Sequence, residues 1–256
     1  MPDDHFGDAV AARYDASLAE MFEAAAVEPV VDFIASLAGG GDALELGIGT
    51  GRIALPLAQR GIHVHGIDLS AAMVEKLREK KGAEDVGVTV GDFATTRVHR
   101  TFSVAYLVFN TIMNLTTQDE QVACFENVAA HLEPGGSFVI EVQLPDLQRL
   151  PHGETVRPFT VTPTRLGFDE YEIASQGLIS HHYRVEDGAL DVWSLPFRYV
   201  WPSELDLMAR LAGLRPRERC RVLRIVDADR RNGHARRHLR DREERVEPVE
   251  DAEARP

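Results

Sequence analysis

Residues 43–61, ALELGIGTGRIALPLAQRG, place Gly47, Gly49 and Gly51 within five positions directly after a short apolar run. The apolar run predicts a buried strand, and the segment that follows predicts a helix with Pro56 near its first turn, where a missing N–H costs least. A glycine-rich turn between a strand and a helix can hold a dinucleotide, a phosphate or a nucleoside. It can also be a tight turn without a ligand.

Short apolar runs and amphipathic stretches continue to alternate after this turn. Further strands are predicted at 63–68, 86–92, 102–109 and 136–143, and helices at 70–81 and 118–132. Strand and helix units of this length indicate a parallel sheet covered on both faces. The sequence therefore predicts an α/β fold with a Rossmann-like, doubly wound and mainly parallel sheet, whose ligand lies beyond the carboxyl ends of the strands.

Segments of a different kind flank this region. Residues 8–38 predict helix, because apolar residues recur every three or four positions. After residue 150, strand-like runs at 168–175, 178–185 and 190–201 predict an antiparallel layer, and residues 202–214 predict a closing helix.

Composition and charge argue against several classes of function. The net charge of −13 argues against nucleic acid, whose binding rests largely on basic side chains that neutralise phosphates. No stretch approaches the roughly 20 apolar residues that cross a bilayer, and the first residues lack the pattern of a signal peptide. Cys124 and Cys220 lie too far apart in sequence for a metal-ligand pattern, so no metal is expected. The predicted location is a reducing cytoplasm.

The glycine spacing separates two kinds of nucleotide site. A dinucleotide site of the oxidoreductase kind has the pattern G-x-G-x-x-G, whose third glycine lets the helix pack close to the strand. Here the pattern is G-x-G-x-G, and Arg52 occupies the position of that third glycine. Glu45 precedes the first glycine, and a carboxylate there would repel a pyrophosphate but can hold a cationic amino group.

Acidic residues end the next two predicted strands. Asp68 ends the strand after the glycine turn, where a carboxylate can accept hydrogen bonds from both ribose hydroxyls. Asp92 and Phe93 end the following strand, where a carboxylate beside an aromatic face can bind the exocyclic amine of adenine. One aspartate at a strand end is often only turn chemistry, but three matching strand ends in order favour a ligand that carries adenosine.

With these motifs in place, the chain resembles the class I S-adenosylmethionine-dependent methyltransferases of the type that acts on small molecules. The matching motifs are ELGIGTGR, GIDLSAAMVEKLR, VGDF and HLEPGGSFVIEV, and the similarity covers roughly residues 8–215. The resemblance implies S-adenosyl-L-methionine as cofactor. It also implies a helical lid over residues 1–38, a cofactor-binding core over 39–150, and an antiparallel substrate cap with the final helix over 151–216.

The same resemblance implies a place for individual residues around the cofactor. The residues implied at its methionine part are Tyr14, Glu45, Gly47, Gly49, Gly51 and Arg52. Those implied at its nucleoside are Asp68, Leu69, Met73, Asp92 and Phe93. Phe109 and Asn110, from the segment FNTIMNL, are expected to line the junction of cofactor and substrate.

The cofactor implied by the resemblance limits what the protein must do chemically. A methyl group on a sulfonium is already activated, so the protein mainly aligns the acceptor and excludes water. A hydroxyl or protonated amine acceptor must also lose a proton. His181 and His182 are the candidates, and because they are adjacent on a predicted strand only one can face the pocket. The expected reaction is in-line transfer to a nitrogen or oxygen of a small metabolite, by a monomer or a homodimer.

The C-terminal part departs from the family pattern. The family normally ends its sheet with a β-hairpin, whereas residues 217–256 hold 12 arginines, 10 acidic residues and no Phe, Trp or Tyr. We expect a tail that is either disordered or aberrant, as an out-of-frame translation of a GC-rich gene would be. Two alternatives stand beside the methyltransferase. One is a nicotinamide-dependent oxidoreductase, which the glycine spacing opposes, and the other is a catalytically impaired cofactor-binding protein that lacks its last strand.

Overall fold

A parallel five-stranded sheet forms the centre of the structure, a computed structural model that describes residues 5–145, 147–186 and 188–219. Its strands are β1 (Ala43–Leu46), β2 (Val64–Asp68), β3 (Val86–Val90), β4 (Phe102–Leu107) and β5 (Leu132–Ile140). They lie in the order β3-β2-β1-β4-β5, and every pairing is parallel. This sheet confirms the predicted α/β, Rossmann-like fold.

Helices connect and cover these strands. They are α1 (Asp8–Ala11), α2 (Tyr14–Ser17), α3 (Ala24–Ala38), α4 (Ala54–Gln59), α5 (Ala71–Arg78), α6 (Gln118–His131) and α7 (Pro202–Leu211). Short 3-10 helices lie at Ala19–Phe22, Ala83–Asp85, Thr111–Asn114 and Leu147–Arg149. Local chemistry sets the starts of two helices: Ser70 caps α5, and Thr117 forms a capping box with Glu120 at α6. In the described part of the chain, no helix is long and apolar enough to cross a membrane.

The centre of the sheet is apolar on both faces, as a covered parallel strand requires. All four residues of β1 are buried, and Leu44, Ile67 and Leu107 have essentially no exposed surface. Glu45 is the one charged residue on β1, and it is only 4% exposed. The carboxyl ends of β1, β2 and β4 therefore lie at one edge of the sheet. Glu45 is the carboxyl group of β1 that is buried there.

The N-terminal segment differs from the predicted continuous helix over 8–38. It breaks at Leu18, whose backbone is neither helical nor extended, and at Glu23, which is extended, so only α3 is a long helix. Side chains of α2 bond to the glycine-rich turn of the core, and these tertiary contacts override local helix propensity. The apolar periodicity of residues 8–38 does not indicate where such breaks occur.

The antiparallel layer has four strands rather than the three predicted. They are β6 (Val156–Val161), β7 (Arg165–Glu172), β8 (Gly177–Glu186) and β9 (Ala189–Arg198), in that order. The sequence missed β6 because Pro158 interrupts it, and proline is tolerated only in an edge strand or at an irregularity. Both conditions hold, since β6 is at the sheet edge and its register shifts between Pro158 and Thr160.

Strand β5 and the C-terminal tail also bear on the predictions. Strand β5 begins at Leu132 rather than at 136, and it takes in the EPGG turn across a register shift opposite Phe102 and Val104. Within residues 5–219, the parallel sheet contains no sixth or seventh strand. Residues 220–256, and with them nearly all of the predicted tail, lie outside the described residues.

A buried arginine joins the antiparallel sheet to the helices of the core. Arg198, at the end of β9, is 5% exposed and forms an ion pair with Glu204 of α7 at 2.6 Å. The same guanidinium donates to Gln121 of α6, and also to Gln176 at 3.2 Å. Arg198 thus connects β9 to α7 through an ion pair and to α6 through a hydrogen bond.

We predict that Arg198→Met destabilises the protein by about 3 kcal/mol, because it leaves the Glu204 carboxylate, whose side chain is 13% exposed, without its cation. Lys76→Met is the matched control, since the Lys76–Glu79 pair is well exposed and such pairs contribute about 0–1 kcal/mol. Urea unfolding of both variants measures the difference. Equal stability of the two variants would contradict the structural role of Arg198.

Candidate active site

The glycine-rich turn after β1 adopts a backbone that side chains disfavour. Gly47, Gly49 and Gly51 have φ of 71°, 54° and 81°, in the left-handed region where glycine carries no steric penalty. At Gly47 an added Cβ would also lie 2.5 Å from the Thr111 side chain, so the turn has no room for a larger residue. The result is a stretch of bare backbone at the carboxyl end of the sheet.

Asp68 ties this turn to the next strand and helix. Its Oδ2 accepts from the Gly49 amide at 2.6 Å, and its Oδ1 accepts from the Ser70 amide at 2.9 Å. These two backbone groups fix the orientation of the carboxylate at the tip of β2. The structure thus places Asp68 beside the glycine turn, as the parallel topology predicts.

Glu45 is buried beneath the same turn. Its Oε2 accepts a hydrogen bond from the Tyr106 hydroxyl of β4 at 2.9 Å. Burial raises the pKa of Glu45 to about 8, although the Tyr106 hydrogen bond and the charge of Arg52 act in the opposite direction. The carboxyl group is therefore largely protonated near pH 7 when no cation lies beside it.

Tyr14 and Arg52 lie close to these acids. Burial raises the pKa of Tyr14 to about 12, and Arg52, Asp68 and Glu45 all act electrostatically on its hydroxyl. The Arg52 guanidinium lies 4.9 Å from the centroid of the Phe109 ring, a cation–π contact. The structure thus gathers Tyr14, Glu45, Arg52 and Asp68 at one place.

A polar cluster that the sequence did not reveal joins the N-terminal segment to the glycine turn. Asp15 of α2 accepts from the Thr50 hydroxyl at 2.6 Å and forms an ion pair with Lys80. Lys80 in turn donates to the Thr50 carbonyl at 2.8 Å. The sequence could not predict the pairing of Asp15 with Lys80, because 65 positions separate the two residues.

Of the residues predicted to bind the nucleoside, some lie at the edge of the sheet and others are packed in the core. Asp92 lies at the strand edge, where its Oδ1 accepts from the Ala94 amide at 2.8 Å, and Leu69 is half-buried next to Asp68. Phe93 is buried in the hydrophobic core, and Met73 is 3% exposed and packs against the glycine turn at Gly49. Core packing therefore accounts for Phe93 and Met73 in large part.

The segment after β4 is held in an uncommon backbone conformation. Phe109 and Asn110 have φ of 61° and 60°, which is unusual for residues with side chains. Two hydrogen bonds hold this backbone in place. The Phe109 amide donates to the Glu141 carboxylate at 3.0 Å, and the Asn110 side-chain oxygen accepts from the Gln143 amide. Such strain persists where the surroundings over-determine it, and it often marks functional positions.

The two candidate histidines lie on opposite faces of the antiparallel sheet. We call inner the face that carries Tyr171 and Leu178, which cluster with Tyr199 and pack against Met113 of the 3-10 helix after β4. By strand alternation His182 shares this inner face, and its ring stacks on Trp193 at 4.9 Å. His181 is on the outer face, where it contacts Glu170 at 3.3 Å. The expectation that only one can face a pocket agrees with this placement.

The inner face contacts the N-terminal segment at one end and the 3-10 helix after β4 at the other. Arg13, which precedes Tyr14 in the lid, forms an ion pair with Asp191 at 2.8 Å and lies 5.0 Å above the Trp193 ring. At the other end β9 contacts the 3-10 helix Thr111–Asn114. Within residues 5–219, apart from 146 and 187, no three His, Cys, Asp or Glu side chains are grouped to hold a metal ion.

The fold is Rossmann-like α/β with a separate antiparallel sheet, and comparisons with known proteins identify the class of protein. A family model described as a methyltransferase domain matches residues 43–136. The chain is 31% identical over 187 residues to the cypemycin N-terminal methyltransferase of a Streptomyces species, which covers 68% of this chain and 73% of that protein.

Solved structures give the same result. The methyltransferase CcbJ from Streptomyces caelestis matches with a TM-score of 0.71 and 36% identity, over 83% of this chain and 88% of CcbJ. CalS10, an amino pentose methyltransferase from Micromonospora echinaspora solved with SAM bound, matches with a TM-score of 0.62 over 78% of this chain and 87% of CalS10. At 22% identity this second likeness concerns the fold.

The chain belongs to the class I S-adenosylmethionine-dependent methyltransferases that act on small molecules, and S-adenosyl-L-methionine is its cofactor. The resemblance stated from the motifs is thereby confirmed. The nicotinamide-dependent oxidoreductase is excluded as the class of the protein.

Proposed function

We propose that this methyltransferase transfers the methyl group to the nitrogen of a small, amine-bearing metabolite. The observation that carries the choice of nitrogen is the similarity to the cypemycin N-terminal methyltransferase, over 73% of that protein's length. Cytoplasmic location and a monomeric or homodimeric state stay predictions.

We further propose how the chain holds its cofactor, whose cationic sulfur supplies an activated methyl group. The buried Glu45 carboxylate binds the ammonium of the methionine part, and Arg52 with Tyr14 binds its carboxylate. Asp68 accepts from the ribose hydroxyls, with its orientation set by the amides of Gly49 and Ser70. The bare turn of Gly47, Gly49 and Gly51 lets the ligand approach the backbone closely.

The remaining nucleoside contacts are also proposals. Asp92 accepts from the adenine amine, and Leu69, Met73 and Phe93 supply apolar surface beside the base. Phe109 and Asn110 line the boundary between cofactor and acceptor.

We assign removal of the acceptor proton to His182 rather than to His181. An amine is protonated in water near pH 7, and it must lose a proton before its lone pair can attack. Burial, followed by the charges of Arg165 and His181, lowers the pKa of His182, so its ring is neutral and able to accept a proton. His181 lies on the outer face and is paired with Glu170.

A first prediction concerns cofactor affinity and pH. Glu45 has a pKa of about 8 without a ligand, so binding an ammonium beside it releases a proton. The affinity for S-adenosylhomocysteine should therefore rise with pH up to about 8 and level off above, by at most about tenfold per pH unit. Calorimetric titration of wild type, Glu45→Gln and the exposed control Glu84→Gln measures this. Glu45→Gln should bind weakly without the pH dependence, and a wild type insensitive to pH would contradict the assignment.

A second prediction concerns the acceptor. Radiolabelled methyl transfer is measured with matched amine and hydroxyl pairs: amino-sugar nucleotides and their hydroxy-sugar counterparts, and peptides with free or acetylated N-termini. We expect label only in members with a free amine. Labelling of the hydroxyl members alone would overturn nitrogen as the acceptor, and no labelling with any member would favour the catalytically impaired alternative.

A third prediction separates the two histidines. His182→Gln should lower kcat by about 100-fold or more, since a positioned base contributes about 10²–10⁴. His181→Gln is the matched control on the neighbouring residue, and it should keep kcat within about twofold. Affinity for S-adenosylhomocysteine should stay unchanged in both variants. Equal loss of kcat in the two variants would contradict the assignment to His182.

A further inference from the structure

Two buried polar side chains of α6 hold the backbone segment that follows β3. Nδ2 of Asn127 donates to the carbonyl oxygen of Phe93 at 2.8 Å and to that of Thr96 at 2.9 Å. One turn further along α6, Nε2 of His131 accepts from the Val98 amide at 2.9 Å. Asn127 is only 2% exposed and His131 only 1%. One face of the helix thus fixes three backbone groups of the segment.

The partners of these side chains are backbone groups, so the direction of each hydrogen bond is settled. A peptide carbonyl only accepts, and the NH2 group of Asn127 must therefore point at the segment. Its Oδ1 is buried and has no hydrogen-bond partner among the residues that the structure describes. A peptide N–H only donates, so Nε2 of His131 carries the lone pair. The ring proton is then on Nδ1, which donates to the Asn127 carbonyl at 2.7 Å.

The same segment contains the groups that orient Asp92. The Asp92 carbonyl accepts from the Thr96 amide at 2.7 Å, and its Oδ1 accepts from the Ala94 amide at 2.8 Å. The Thr96 side chain packs so closely on Gly91 that an added Cβ there would overlap it. Both amides lie in the stretch that Asn127 holds by its carbonyls. The orientation of the Asp92 carboxylate therefore depends on side chains of α6.

We propose that Asn127 and His131 are positioning residues for recognition of the cofactor's base, because they fix the segment that orients the Asp92 carboxylate. The inference rests on the proposed contact between Asp92 and the adenine amine. Both residues act through the backbone and neither touches the ligand. Their effect is therefore a preference for a base that carries the amine, rather than a general gain in cofactor affinity.

The first test compares two ligands of the full-length protein that differ only in the base. S-adenosylhomocysteine carries the amine, and S-inosylhomocysteine carries an oxygen in its place. Wild type should bind the first at least about tenfold more tightly, since the second lacks a hydrogen bond to a charged group. Asn127→Leu and His131→Leu should reduce this preference at least about threefold, because a misplaced carboxylate loses a directional bond. His131→Gln, which keeps a donor and an acceptor, should retain it. Calorimetric titration measures both affinities.

Two further variants complete this test. Glu126→Gln is the control, because Glu126 is exposed on α6 next to Asn127 and should leave the preference unchanged. Asp92→Asn should abolish the preference, since an amide donor would then face the amine. A merely structural role of Asn127 and His131 would lower both affinities equally, and an unchanged preference in their leucine variants would overturn the proposal.

The second test reads the segment without a ligand. Long-range 1H–15N spectra distinguish the two ring nitrogens of each histidine, and His131→Gln assigns the signals. We expect the His131 proton on Nδ1 and slow hydrogen exchange at the Val98 amide. His131→Leu should speed that exchange at least about tenfold, as should Asn127→Leu at the Thr96 amide, with circular dichroism as the check of folding.

The two tests separate failure of the inference from failure of the proposed function. A wild-type His131 with its proton on Nε2, or a Val98 amide that exchanges as in an unfolded chain, would overturn the inference without the need for any variant to fold. A wild type that binds both ligands equally, or an Asp92→Asn variant that keeps the preference, would refute the contact of Asp92 with the amine. The positioning role would fail with that contact, while the exchange rates would still decide whether α6 holds the segment.

Discussion

The two backbone hydrogen bonds to Asp68 are the interactions on which the rest of the site depends. They join the tip of β2 to the glycine turn at Gly49 and to the start of α5 at Ser70. Hydrogen bonds to a charged group are stronger than those between neutral groups, and these two lie at the edge of a close-packed core. One carboxylate therefore sets the positions of the turn, the helix and the strand end together.

The N-terminal segment is hydrogen-bonded to the same part of the structure. Ser70, which caps α5, also donates from its hydroxyl to the Phe6 carbonyl at 2.7 Å, and Thr50 of the glycine turn binds Asp15. The N-terminal segment is thus held by the very residues that shape the turn. This explains why it breaks into short helices: its backbone follows the contacts to the core rather than its own propensity.

The sequence was sufficient for features that follow from topology or from the next residue along the chain. Parallel strands end at one edge, so Glu45, Asp68 and Asp92 could be placed near each other without knowing any distance. Alternation along a strand likewise separated His181 from His182. The Asp15–Lys80 pair and strand β6 could not be predicted. The pair depends on tertiary approach, to which no local pattern responds, and Pro158 interrupts the local pattern of the strand.

The burial of Glu45 has a physical reason only when a cation is considered. A buried carboxylate without a cation loses the solvation of its charge, and here that loss holds its pKa at about 8 despite the hydrogen bond from Tyr106. An ammonium placed beside it restores the interaction that water would supply, so the carboxylate ionises as the ligand arrives. The low-dielectric surroundings that make the empty carboxyl group costly to ionise also strengthen its attraction to that ligand. The apolar packing of β1 and the proposed selectivity of Glu45 for a cationic amino group therefore follow from one arrangement.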